Sequence, residues 1–458
     1  MDCDEGFGIG HFGDMRRAKA GAALFERVVA TGSLVLHQAG GDRAGEMSAH
    51  RFLSSAHVTP DEILKTAGTR TASACVGRRI VAAQDTTEIN FSGRDRGRRG
   101  LGLAGDGKAL GFFCHAMVAI DADDEALLGV LHANIWTRSA KGVTARRSRP
   151  IEDKESIRWI EMTAAASDLL GSAAQLIVVG DRECDIYCQF ARVPPGVELI
   201  VRAAQNRRLA DDERLFDAPS DWRAFGTMDI RVPPSRPGEA ARVAHVSVKA
   251  GRVCIAKPRN AAAAVDPATV TLTYVEVRET NPANGHKAII WRLLTTLPVA
   301  GEPDEFAAAQ EIVKLYRLRW RIEQVFRAMK SDGLRLEETQ IKHAARLFNL
   351  AAIALTAAAR TIQLVDARDG SSRPASDVAD EDLIAAAQAI GPTLERATAR
   401  QKNPHPSRSL AWLTWIIARL GGWNCYYKPP GPKTMRAGWN KLSAMAAGYG
   451  IALAQQNA

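Results

Sequence analysis

Cysteine is scarce: seven residues in 458, an odd number without metal-site spacing, which argues against a disulfide framework. Cys184 and Cys188 stand one helical turn apart, but no second Cys or His pair lies near them to complete a zinc site, so they read as reduced thiols. Long apolar runs are also missing. The best stretch, 350–359, is far too short to cross a bilayer, so no membrane partner is expected. The opening MDCDEGFGIG is acidic and lacks the basic-then-apolar order of a signal peptide, which leads to the expectation of a cytoplasmic protein. Acidic residues vanish after Glu395, while Arg and Lys continue to Lys441. No internal repeat is found.

What is present fits a globular chain of two or three domains, with 46% hydrophobic and 24% charged residues. A net charge of +9 and a pI near 9.3 suggest a polyanionic partner. Two basic clusters, GRDRGRRG at 93–100 and ARRSR at 145–149, join the acid-free tail. Each alone is ordinarily a solvated loop; three of them interleaved with catalytic-looking segments favour nucleic acid.

Residues 1–70 read as a small helical domain, with helices at 15–30 and 44–54 and a third announced by the N-cap Thr59-Pro60-Asp61-Glu62. Arg16, Arg17, Arg43 and Arg51 are candidate phosphate contacts or, equally, ordinary helix-surface charges. A strand at 79–85 ends in Asp85, and a hairpin pairs 111–120 with 127–136. A helix at 152–170 closes on Gly171, and the short apolar strand 175–180 delivers Asp181. Asp185 is expected to cap a further helix, before the buried strand 197–202. This order predicts an α/β fold, a mixed sheet with helices on both faces, where sites form at the carboxyl ends of strands. Asp85 and Asp181 sit at such ends; the plainer reading makes them turn caps.

Between 209 and 298 the pattern changes to strands at 242–249, 252–257 and 269–279, a β-rich insertion, and 289–295 leads back to the core carrying Trp291. The stretch 314–332 has no Gly or Pro and predicts one continuous helix stopped by Gly333. Its apolar stripe is Leu318, Ile322, Val325 and Met329, while Tyr316, Arg319, Glu323 and Lys330 fall within roughly 60° of one another on a neighbouring face. That face is either solvated, with an Arg319–Glu323 pair worth a few tenths of a kcal/mol, or a carboxylate that holds a metal beside donors for phosphate oxygens. An apolar helix follows at 344–364, then a flexible linker at 368–378, and a basic tail with Trp412, Trp415, Trp423 and Trp439.

Three carboxylates gathered from two strand ends and a helix would be costly without cations. Oxygen-only ligands suit Mg²⁺ or Mn²⁺ rather than zinc. Gln84-Asp85-Thr86-Thr87-Glu88, Asp181-Arg182-Glu183 leading to Asp185-Ile186-Tyr187, and the spaced set Tyr316, Arg319, Glu323, Lys330 together resemble the bacterial cut-and-paste insertion-sequence transposases. These are the DDE enzymes with a Tyr-Arg-Glu-Lys signature. Phe12-Gly13-Asp14 with Arg16 and Arg17 is similar to that family's N-terminal DNA-binding domain, and Pro429-Pro430-Gly431 to its C-terminal region.

The resemblance implies a ribonuclease-H-like core at 71–368 interrupted by the β insertion, a helical DNA-binding domain before it, and a helical dimerisation and DNA-contact domain at 369–458. It also implies a homodimer on the inverted terminal repeats of its element, acting in the bacterial cytoplasm at the nucleoid. Asp85, Asp181 and Glu323 would hold two Mg²⁺, with Mn²⁺ as a substitute. Strand nicking, a hairpin intermediate and joining of 3′-hydroxyl ends to target DNA would follow. Tyr316, Arg319 and Lys330 would grip phosphates, and Trp291 would stack on a flipped base or serve as a core residue. Two alternatives are a metal-dependent nuclease without strand transfer and an inactive transposase-derived DNA-binding regulator.

Overall fold

The structure, a computed structural model, describes residues 8–456 apart from 94–96, 106, 139–149, 233–240, 259–265, 283–287, 331–332 and 372. The basic cluster at 145–149 lies outside the described residues, as does part of the one at 93–100. Helices α1 (Met15–Thr31), α2 (Leu36–Gly40), α3 (Arg43–Ser54) and α4 (Pro60–Cys75) come first. Strands β1 (Arg79–Asn90), β2 (Gly102–Ala104), β3 (Ala109–Asp121) and β4 (Leu127–Trp136) follow. Then α5 (Ile157–Leu169), β5 (Gln175–Gly180), α6 (Tyr187–Ala191) and β6 (Val197–Arg202) alternate. Next are β7 (Gly226–Val232), β8 (Arg242–Ala256), β9 (Thr269–Glu279) and β10 (Ile290–Thr295). The remainder is helical: α7 (Glu305–Arg317), α8 (Trp320–Lys330), α9 (Ala344–Asp366), α10 (Glu381–Leu394), α11 (Leu410–Leu420) and α12 (Pro432–Gln456).

The chain divides into two compact units. One comprises Gly77–Asp85 and Gly142–Trp320; the other comprises Met1–Val76, Thr86–Lys141 and Arg321–Ala458. In the first of these, β1, β5 and β6 run parallel, with Ala83 opposite Val179 and Gly180 opposite Val201. Their apolar runs explain this: Val179, Ile200 and Val201 are fully buried, as strands covered on both faces require. Side chains alternate across β1. Gln84 donates its amide to the Thr163 hydroxyl of α5 at 3.2 Å, whereas Arg79, on the opposite face, reaches Glu311 of α7 at 3.0 Å. Helices therefore cover both faces of this mixed sheet, as expected.

The strands of the expected β-rich insertion extend this sheet. β10 pairs antiparallel with β6, Leu293 opposite Arg202, and β9, β8 and β7 follow in antiparallel order. The two strands expected at 242–257 are one, because Gly251 stays in register opposite Tyr274. β1 likewise does not stop at Asp85 but continues to Asn90.

The other unit holds the N-terminal helices, the β3–β4 hairpin and the C-terminal helices. Asp14, Asp42 and Thr59 cap α1, α3 and α4 through their side-chain oxygens, and Gly32 closes α1 in the left-handed conformation (φ 63°). α9 forms the centre, with Leu347, Leu350, Ile353 and Leu355 fully buried. The amide of Asn349 on α9 donates to the carbonyls of Leu53 and Val58, which ties the N-terminal helices down. With its continuation to Asp369, α9 is long and apolar enough to cross a membrane by length and composition, contrary to expectation. However, 78% of its most apolar window is buried inside the protein, as in a core helix. The expected flexible linker at 368–378 is also packed. Arg373 is buried, donating to the Leu127 carbonyl at 2.9 Å and pairing with Asp377 at 2.8 Å.

Candidate active site

Parallel register brings the two strand-end acids together. Ala83 faces Val179, so two residues further on Asp85 and Asp181 project side by side, Asp181 just past the carboxyl end of β5 and Asp85 within β1 where its pairing with β5 ends. The next strand in order, β6, ends in Arg202, whose Nη1 lies 3.9 Å from Asp181 Oδ1. Arg319 completes the group, with Nη1 at 3.1 Å from Asp85 Oδ2 and Nη2 at 4.0 Å from Asp181 Oδ2. The Tyr316 hydroxyl donates to Asp181 Oδ1 at 3.5 Å. Burial, and then the charge of Asp181, push that phenol up to about 12. Trp291 of β10 is buried and packs edge-on to the Tyr316 ring, with centroids 5.5 Å apart.

The single helix expected over 314–332 is broken. α7 ends at Arg317 and α8 begins at Trp320, with the amides of Leu318 and Arg319 bonded three residues back to Leu315 and Tyr316. No Gly or Pro marks this turn; what distinguishes it is Arg319, whose two acidic partners lie more than a hundred residues earlier. The common ridge computed for one straight helix therefore does not exist. The apolar stripe does: Leu318, Ile322, Val325 and Met329 are all buried.

Glu323 lies in the first turn of α8 and is exposed. Lys330, in the last turn, donates to the Glu88 carbonyl at 2.5 Å and lies 3.5 Å from Glu337. Both belong to the other compact unit. Of the N-terminal arginines, Arg16 and Arg51 are exposed, Arg17 donates to the Phe12 carbonyl at 2.8 Å, and Arg43 pairs with Glu46 at 3.0 Å.

Asp185 does not cap a helix. The N-cap of α6 is Ile186, without a side-chain bond, and Asp185 is instead buried against Arg207 and the backbone amides of Ala204 and Gln205. Its partners come from a loop after β6 that periodicity does not reveal. Arg202 went unrecognised in the sequence; its signal was its place at the end of the strand following Asp181.

Among the described residues no group of three His, Cys, Asp or Glu side chains is gathered around a point as for a metal ion. The pair Asp85 and Asp181 nevertheless fits a hard divalent cation in kind. Both offer oxygen donors, with side chains 21% and 32% exposed, and their adjacent charges already draw a guanidinium between them. Residues 196–360, from β6 into α9, match the family model of the transposase DDE domain. That span includes Trp291, Tyr316, Arg319, Glu323 and Lys330, and supports a DDE-type transposase, an enzyme of DNA-processing chemistry.

Proposed function

Starting from a transposase DDE domain in the chain, we propose that this protein is a cut-and-paste DNA transposase. It excises an insertion element at its inverted terminal repeats through hairpin intermediates and joins the 3′-hydroxyl ends to target DNA. The observation that carries this reading is the pairing of Asp85 and Asp181 around Arg319, just beyond the paired segment of the adjacent parallel strands β1 and β5.

Asp85, Asp181 and Glu323 would hold two Mg²⁺ ions, with Mn²⁺ as a substitute. When bound, such ions stabilise charge on the attacking and leaving oxygens of phosphoryl transfer. Arg319, Tyr316 and Arg202 orient the acids, and in the DNA complex Arg319, Tyr316 and Lys330 grip backbone phosphates near the cleaved bond. Trp291 supports Tyr316 through its edge-on contact; to stack on a flipped base it must turn outward. The helices of 1–70, with Arg16, Arg17, Arg43 and Arg51, bind the terminal repeats, and 369–458 contributes to dimerisation and DNA contact, in a bacterial cytoplasm.

The test is a mini-element with paired ends, incubated with Mg²⁺ and either wild type or Glu323→Ala. Nicked, hairpin and joined products from wild type alone are expected. Equal activity of the variant overturns the site, and cleavage without hairpin or joined products makes the enzyme a nuclease.

A further inference from the structure

Within the unit that contains Arg321–Ala458, helices α8, α9 and α12 line an open-mouthed cavity of about 310 Å³. A water's share of liquid volume is about 30 Å³, so the space holds a small hydrated group. The charged residues on its wall are Arg321, Arg327, Arg368, Arg436 and a single acid, Asp366. Arg321 is matched to that acid, bonded to Asp366 Oδ1 at 3.0 Å and to the Glu125 carbonyl at 2.9 Å. Arg368 donates to Asp369 at 3.2 Å and to the Pro430 carbonyl at 3.1 Å through Nε and Nη1, and among the described residues Nη2 makes no further bond.

Arg436 is different. It is half-buried, and among the described residues its guanidinium has neither an ion-pair nor a hydrogen-bond partner. Its side chain lies across Gly32, where an added Cβ would fall 2.8 Å from Arg436 Cδ, and extends towards Gly333, where one would fall 3.3 Å from Nη1. Burial, and then the charge of Arg335, hold it below its ordinary value. A cation held half out of water without a counter-charge leaves a demand for an anion.

We propose that this arginine-walled cavity is a phosphate site, and that the phosphate it takes is one of the DNA backbone, which rests on the DNA-processing reading above. Planar guanidiniums suit phosphate oxygens, and the site would anchor the duplex through charge without reading sequence.

The experiment uses the full chain, Arg436→Gln and, as a second variant, Arg368→Gln, each first shown to melt like wild type in chloride. A labelled DNA duplex is titrated over a range of salt, and thermal melts compare inorganic phosphate with chloride at equal ionic strength. Each variant is expected to lower the slope of log K against log salt by about one and to abolish the stabilisation by phosphate. If phosphate stabilisation is lost while the duplex slope holds, the site stands and its phosphate comes from a small ligand. If wild type binds no duplex at all, the transposase reading fails, and the melts in phosphate alone decide the cavity. Variants that match wild type in both slope and phosphate stabilisation overturn the proposal.

Discussion

Asp181 and Asp185 are four residues apart and both face arginine, yet they are opposite kinds of acid. Asp185 has a fully buried side chain whose oxygens are saturated: Oδ2 accepts the amides of Ala204 and Gln205 at 2.8 and 2.9 Å, and Oδ1 accepts Arg207 Nε and Nη2 at 3.0 and 2.6 Å. The Asp181 side chain is 32% exposed, and its neighbours Tyr316, Arg202 and Arg319 stand at 3.5, 3.9 and 4.0 Å. A carboxylate whose lone pairs are all filled by its own chain holds structure together. One surrounded by donors at long range keeps capacity for an ion or a phosphate ester.

The sharpest way to break this contrast is to neutralise each acid in turn. Asp181→Asn is expected to lower DNA cleavage at least about 10³-fold, the equivalent of about 4 kcal/mol, while urea unfolding stays within about 0.5 kcal/mol of wild type. Retained cleavage would remove Asp181 from the site. Asp185→Ala should do the reverse. It strands a buried Arg207, so a stability loss of about 3–5 kcal/mol is expected in the same unfolding experiment. A loss under about 1 kcal/mol would erase the distinction between the two acids.

The same contrast explains what could be seen in advance. Asp181 was visible because β5 is a short apolar strand with a sharp end, and β6 and β9 were visible for similar reasons of local composition. Thr59 announced α4 because an N-cap is a property of adjacent residues. The role of Asp185 was hidden because its partners follow in the loop 204–207, and a turn acid beside a helix looks like a cap. The break before α8 was hidden for a related reason: helix propensity runs unbroken through Leu318 and Arg319, and only the tertiary position of Asp85 and Asp181 gives Arg319 somewhere else to go. Pairing of β10 with β6 is equally non-local, so local composition in 209–298 does not show that its strands join the same sheet.

A smaller effect tests whether Arg319 fills the charge demand of Asp85 and Asp181. Arg319→Gln leaves Asp85 and Asp181 adjacent with less positive charge, and a loss of about 1.5–3 kcal/mol is expected at low salt in the presence of a chelator. Adding Mg²⁺ should then raise the melting temperature of the variant more than that of wild type, since the Arg319 guanidinium no longer competes for the carboxylates. Equal Mg²⁺ responses would mean that Arg319 and the ion do not share these oxygens.

The smallest effect is at Tyr316, whose long bond to Asp181 should contribute little. Tyr316→Phe is expected to cost about 0.5–1 kcal/mol near neutral pH, measured by urea unfolding. The pH dependence has a definite sign. Because burial and Asp181 raise this phenol from 10.0 to about 12, the folded chain holds its proton more tightly than the unfolded chain does. That contribution is complete below the ordinary value of 10.0 and is lost as pH rises through about 12. The wild type should therefore lose its advantage over Tyr316→Phe in that window, and the gap should close or reverse. A gap that stays constant across it would mean that the hydroxyl is not held in the buried, acid-facing position from which it supports Asp181.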